Sequence, residues 1–275
     1  MGANSKIEWT THTFNPWWGC TKVSEACKHC YAETWAKRVG QNVWGPKPQR
    51  RVMSKNHWMQ PLKWNREAEG AIERPRVFCA SMADVFEDRE ELLPHRARLF
   101  ELIEQTPNLD WLLLTKRPQN VDKMAVWSTQ WPDNVWLGTT VEMQHRAEEL
   151  LPYLEAIPAK VRFISAEPLL GPLSIRPWLG STIDWVITGG ESGPKARPAS
   201  PEWFRSLHEQ CMESEVAFHF KQWGDWAPGQ GENLPARRMK HAQDGTKMFR
   251  VGKKAAGRTL DGLQHDGLPR TRWSG

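Results

Sequence analysis

Short β-rich runs and helical stretches alternate along most of this chain, and that alternation restricts the fold more than any other feature of the sequence. Arg76-Val-Phe-Cys-Ala-Ser81, Trp111-Leu-Leu-Leu-Thr115, Val135 to Val141, Val161-Arg-Phe-Ile-Ser165, Asp184-Trp-Val-Ile-Thr188 and Val216-Ala-Phe-His-Phe220 read as strands, with one more expected near Phe14 to Trp18. Several of these runs are continuously apolar, as in strands buried on both faces of a parallel sheet. Between them, Pro94 to Gln105 carries Leu99, Leu102 and Ile103 at helical spacing, and Pro94 suits a first helical turn. Helices are also predicted around Ala147 to Ala156 and from Glu202 to Ser214. About seven βα units in succession imply an α/β fold, a partial (β/α) barrel of six or seven parallel strands with right-handed crossovers. This reading assigns residues 1–223 to the barrel domain and 224–275 to a basic C-terminal extension. In the extension, Met248-Phe-Arg-Val251 and Arg258-Thr-Leu260 are expected to pair as a hairpin.

Polar residues gather at one end of these strands. Ser81 and Asp84 follow the second strand, Lys116 and Arg117 the third, and Thr139 and Glu142 close the fourth. Glu167 follows the fifth, Gly189-Gly-Glu191 the sixth, and Lys221 and Gln222 the seventh. In β/α barrels the active site lies at the C-terminal ends of the strands. Helix caps recruit Ser, Thr and Asp as well, but capping explains less well a charged residue after nearly every strand.

Cys20, Cys27 and Cys30 follow the first expected strand and so join the same rim. Thiolate-rich ligation selects zinc or an iron–sulfur cluster over magnesium or calcium. A cube held by three thiolates leaves one iron open to a reacting molecule. Structural zinc is the competing reading, with His29 or His12 as a fourth ligand. Five cysteines cannot all pair, Met1 to Thr11 is polar, and no apolar run approaches a membrane span. A reducing cytoplasm is therefore expected, where clustered cysteines bind metal or react more often than they crosslink. Cys79 and Cys211 fall in strand-like and helical runs and read as small apolar groups.

The net charge of +5 is unevenly spread. Residues 37–66 hold eight Lys/Arg and no acid, together with Trp44, Trp58 and Trp64. Cations interleaved with aromatics suit a polyanion with flat bases, and Arg50, Arg51 and Lys55 are the candidate phosphate contacts. The same tryptophans equally suit packing back onto the domain, since most of the 17 in the chain must be core. Residues 224–275 carry ten Lys/Arg against five acids, and Arg237, Arg238, Lys253 and Lys254 offer a second cationic surface.

A cysteine trio after the first strand of a β/α barrel resembles the radical S-adenosylmethionine (SAM) enzymes. Six residues separate Cys20 from Cys27 where three are usual in that superfamily, and His29 stands where an aromatic residue is common. The closer match is to a phage-associated family with a three-cysteine motif. It is carried by Ile7-Glu-Trp-Thr10, Asn15-Pro-Trp-Trp-Gly-Cys20, Cys27-Lys-His-Cys-Tyr-Ala32 and Ser81-Met-Ala-Asp-Val-Phe86. Leu113-Leu-Thr-Lys-Arg-Pro118, Gly189-Gly-Glu-Ser192 and Lys221-Gln-Trp-Gly224 continue it.

The resemblance implies a 4Fe–4S cluster on Cys20, Cys27 and Cys30, with SAM bound at the open iron and cleaved to a 5′-deoxyadenosyl radical. Superfamily members often hold the methionine amine with Gly-Gly-Glu after the second strand. Here Ser81 and Asp84 occupy that place, and Gly189-Gly-Glu191 is not its equivalent. Thr139, Glu142 and Glu167 would complete the cofactor contacts. Lys116, Arg117, Glu191, Lys221 and Gln222, with Arg50, Arg51 and Lys55, are the candidates on the substrate side. The implied substrate is DNA or a nucleotide, with isomerisation or rearrangement of a hypermodified thymine side chain as the reaction; a base-repair lyase is a close relative. A non-catalytic, zinc-bearing nucleic-acid-binding protein is the alternative. An external electron donor such as flavodoxin, a partner protein encoded nearby and the host cytoplasm complete the expectation.

Overall fold

The computed structural model describes residues 5–127, 130–229 and 239–269. The first elements are β1 (His12–Thr13), β2 (Trp17–Trp18), α1 (Tyr31–Arg38), β3 (Arg51–Val52), α2 (Lys55–Trp58), α3 (Gln60–Glu67) and β4 (Arg76–Cys79). They are followed by α4 (Leu93–Glu104), β5 (Asp110–Thr115), α5 (Val121–Met124), β6 (Val135–Thr140), α6 (Gln144–Glu155), β7 (Arg162–Ala166) and β8 (Trp185–Gly189). The last are α7 (Pro201–Glu213), β9 (Ala217–Gln222), β10 (Trp226–Pro228), β11 (Met239–His241), β12 (Lys247–Arg250) and α8 (Lys253–Ala256). The main sheet has seven strands in the order β1-β4-β5-β6-β7-β8-β9. Its strands follow chain order and its registers are parallel, the α/β topology of a partial (β/α) barrel.

The chain forms two compact units. The first comprises Met1–Ser24, Ala32–Thr139 and Tyr153–Arg162; the second comprises Glu25–Tyr31, Thr140–Pro152 and Phe163–Gly275.

In the first unit, Trp111, Leu112 and Leu113 of β5 are wholly buried, which accounts for the unbroken apolar run. The opening strand differs from expectation. His12 and Thr13 pair with Val77 and Phe78, and Phe14 N–H adds one more bond to Phe78. Pro16 has no N–H to continue the ladder, and Trp17–Trp18 instead pairs antiparallel with Arg51–Val52. The basic segment 37–66 turns its tryptophans inward: Trp44, Trp58 and Trp64 are all buried. Trp64 stacks on His12 at 4.3 Å, while Trp58 meets Phe14 edge-on and receives Arg98 over its face at 4.4 Å. These rings hold the segment to the domain and are not platforms for bases.

In the second unit, α7 buries Phe204, Leu207 and Cys211 on one face. Helix α6 begins a turn before the predicted Ala147; its first turn, Gln144-His145-Arg146, is polar and lies ahead of the buried apolar residues Ala147, Leu150 and Leu151 that mark the helix in the sequence. The predicted hairpin does not form. Lys247–Arg250 pairs instead with Trp226–Pro228 and Met239–His241, and Leu260 bridges to Leu263. The tail then runs along the edge of β9: Gly267 N–H donates to Phe218, and Phe220 N–H donates to His265. This covers backbone groups that an edge strand would otherwise expose.

Candidate functional site

Every predicted rim residue lies at or just beyond the C-terminal end of its strand. In the first unit this end carries Cys20. Gly19 donates to the Met82 carbonyl and adopts φ +114°; a Cβ there would stand 2.3 Å from the Val43 carbonyl, so the turn into Cys20 requires glycine. Asn15 braces the same loop, with Oδ1 accepting from Met82 N–H at 2.7 Å and Nδ2 donating to Ser81 Oγ at 3.0 Å.

A buried ionic group then fixes Cys20 and Thr21. Asp84 accepts four hydrogen bonds: Oδ1 from Thr115 Oγ1 (2.7 Å) and Phe86 N–H (3.1 Å), Oδ2 from Lys116 N–H (3.0 Å) and Arg117 Nη1 (2.7 Å). Arg117 also donates to the Thr21 carbonyl at 2.6 Å and to Cys20 Sγ at 3.6 Å. Glu87 accepts from Thr21 N–H at 2.9 Å and forms a two-pronged pair with Arg50 at 2.7 and 2.9 Å. Burial and the neighbouring Asp84 push the Cys20 thiol up to about 12, against the pull of Arg117. Burial alone would weaken the charge on Arg117, yet Asp84 and Cys20 hold its pKa above the ordinary value.

Arg50 and Arg117, expected at the substrate, are thus buried in this group, whereas Arg51 and Lys55 are exposed. Thr139 is buried with Oγ1 on the Thr115 carbonyl. Glu87 was not legible as a functional residue, because it opens an acidic run that reads as a turn.

In the second unit, Cys27 and Cys30 belong to one tight turn, with Cys30 N–H donating to the Cys27 carbonyl. His29 lies between them and donates to Glu191 Oε2 at 3.1 Å. Arg197 clasps the same carboxylate at 2.6 and 2.8 Å and reaches the Glu25 carbonyl at 3.1 Å. Burial alone would raise the pKa of Glu191; the hydrogen bonds from Arg197 and His29 outweigh it and hold the carboxyl below its ordinary value. Glu191 is therefore an anchor for the cysteine turn, and Arg197 is a partner that the sequence reading missed. Its glycines have a packing role, since a Cβ on Gly190 would lie 1.9 Å from the Trp223 carbonyl.

Glu142 reaches the same turn, with Oε1 accepting from Ala26 N–H at 3.3 Å. Its Oε2 is buried and has no hydrogen-bond partner among the described residues. A buried carboxylate oxygen left in this way is costly until a donor meets it. Glu167 is differently placed: both oxygens accept from Lys221 Nζ at 2.8 Å, and Gln222 adds a third contact at 3.1 Å.

All five cysteines are unbridged thiols. Among the described residues, no group of three or more His, Cys, Asp or Glu side chains stands arranged around a metal position. The donor set of Cys20, Cys27 and Cys30 is chemically that of a thiolate-bound cluster. Of the two histidines proposed for zinc, His29 is bonded to Glu191, whereas His12 stacks on Trp64 and its buried Nδ1 has no hydrogen-bond partner among the described residues. No helix among the described residues is long and apolar enough to cross a membrane. Arg237 and Arg238 lie outside the described residues.

Among solved structures, the chain is similar to a spore photoproduct lyase variant with bound AdoMet and dinucleoside spore photoproduct (TM-score 0.48, 14% identity, 91% of this chain and 71% of the other). It is also similar to a spore photoproduct lyase complexed with dinucleoside spore photoproduct (TM-score 0.48, 14% identity, 93% and 72%). No curated protein sequence matches it. A family model described as a protein of unknown function does match, over residues 4–269, and the chain accordingly belongs to the DUF5131 family.

Proposed function

We propose that this protein is a radical SAM enzyme whose 4Fe–4S cluster is held by Cys20, Cys27 and Cys30. The observation that carries the reading is the treatment of the cysteine segment. Three unbridged thiols follow the first strand of a parallel α/β sheet, and separate ionic groups brace the backbone beside them: Arg117–Asp84 with Arg50–Glu87 at Cys20, and Glu191–Arg197 at Cys27 and Cys30. Outer partners of this kind orient metal ligands and tune the metal they hold. When bound, the cluster supplies the electron that cleaves SAM to methionine and a 5′-deoxyadenosyl radical.

Among the cofactor candidates, Glu142 is best suited to a ligand ammonium group, because its Oε2 meets no donor among the described residues while Asp84 already has four. Ser81, Thr139 and Glu167 complete the proposed cofactor side, and Lys221 and Gln222 line the substrate side. The substrate proposed is a modified base in DNA or a nucleotide, with isomerisation or rearrangement of its side chain as the reaction. Exposed Arg51 and Lys55 support a phosphate-bearing partner. An external one-electron donor such as flavodoxin is required for turnover.

Anaerobic reconstitution with iron and sulfide tests the reading. A broad brown absorbance and 5′-deoxyadenosine formed from SAM with a reductant are expected. Zinc bound in stoichiometric amount, with no iron uptake and no deoxyadenosine, would overturn it in favour of a zinc-bearing binding protein.

A further inference from the structure

Arg117 does more than brace a loop. Its Nη1 donates to the sulfur of an expected ligand, Cys20 Sγ, at 3.6 Å, while Nη2 holds the next carbonyl, that of Thr21, at 2.6 Å. Its charge is set within a balanced group. Arg117 and Arg50 stand against Asp84 and Glu87, at 2.7 Å in each main pair, and Arg117 lies 3.9 Å from Glu87 as well. All four side chains are less than a tenth exposed, so solvent screens their charges weakly.

We propose that Arg117 is a positioning residue that sets both the geometry of Cys20 and the reduction potential of the cluster it binds. The proposal rests on the radical SAM reading. Hydrogen bonds to ligand sulfurs and the net charge nearby are among the levers that fix the potential of an iron–sulfur centre. A donor and positive charge at Cys20 favour the reduced, more negative cluster. Removing Arg117 leaves Asp84 and Glu87 facing Arg50 alone, a surplus negative charge beside a ligand sulfur. The fork geometry does a second task, because one guanidinium reaches the sulfur, Asp84 and the Thr21 carbonyl together. A lysine keeps the charge but cannot reproduce that fork.

The two tasks separate in Arg117→Gln and Arg117→Lys. In the reconstituted protein, Arg117→Gln should shift the midpoint potential to more negative values, whereas Arg117→Lys should stay close to the parent. In the metal-free protein, amide hydrogen exchange over residues 18–24 should speed up in both variants. Should Arg117→Gln fail to fold, the double variant Asp84→Asn/Arg117→Gln leaves no unpaired charge in that pair and should still shift the potential negatively through the lost sulfur donor. A parent-like potential in the glutamine or double variant would overturn the electrostatic role, and unchanged exchange in both single variants would overturn the positioning role. If even the parent binds no cluster, the radical SAM reading fails on its own, and exchange in the metal-free protein still decides the positioning of Cys20.

Discussion

Replacing Arg50 with glutamine should destabilise the fold, not merely weaken contact with a phosphate. The side chain is fully buried. Its three nitrogens donate to both oxygens of Glu87, to Thr21 Oγ1 and to the carbonyls of Val43, Gly45 and Pro48, at 2.7–3.0 Å. Glutamine keeps neither the charge nor the reach, and Glu87 is left with Thr21 N–H and Arg117 at 3.9 Å. Removing one partner of a buried ion pair costs about 3–5 kcal/mol. At roughly 2–4 °C per kcal/mol for a chain of this size, the melting temperature should fall by about 6–20 °C. Thermal unfolding followed by circular dichroism measures this, beside titration with single-stranded DNA over a range of salt. The exposed pair Arg51→Gln/Lys55→Gln is the contrast: its melting temperature should match the parent, and its salt slope should flatten by about 1.4 if both cations meet phosphates. A parent-like melting temperature for Arg50→Gln together with a flattened salt slope would refute the structural assignment of Arg50.

Alanine at Cys20, Cys27 or Cys30 should each abolish iron retention after reconstitution, while alanine at Cys79 or Cys211 should retain it; full iron content in all three of the former would remove the cluster from this chain. Glu142→Gln should weaken SAM binding in calorimetry without lowering the melting temperature, whereas Asp84→Asn should lower it, because Asp84 pairs with buried Arg117. Asp110 should make stability depend on pH. Burial raises its pKa to about 7, against the nearby Arg74 and Arg76, so the folded state binds the proton more tightly than the unfolded chain. Its contribution is therefore fully present below the ordinary carboxyl range and is lost as pH rises from about 4 toward 7, by a few kcal/mol at most. Asp110→Asn should flatten that dependence and unfold at a higher temperature than the parent at pH 8; equal pH profiles would show that Asp110 does not titrate there.

What the sequence discloses and what it conceals divide along one physical line. A strand buried on both faces has to be apolar throughout, so Trp111 to Leu113 announces β5 without any knowledge of its neighbours. The donor chemistry of Cys20, Cys27 and Cys30 is equally local. Ionic partnerships are not, because they depend on which segments the fold brings together. Glu87 and Glu91 belong to the same acidic run, yet Glu87 is buried against Arg50, 37 residues upstream, and Glu91 is exposed. Arg50 and Arg51 are consecutive, yet the first is buried and the second is exposed. The cations of the cysteine segment follow from this. Arg50, Arg117 and Arg197 each have a carboxylate at 2.6–2.7 Å, in Glu87, Asp84 and Glu191, and each also donates to the chain beside a cysteine: Thr21 for the first two, Glu25 for the third. A guanidinium held in this way has few N–H groups left for a phosphate. Charge near the cysteines therefore serves the shape of the loop, and under the proposed function the attraction of a polyanion would fall to exposed residues such as Arg51 and Lys55, whose positive charge no carboxylate pairs among the described residues.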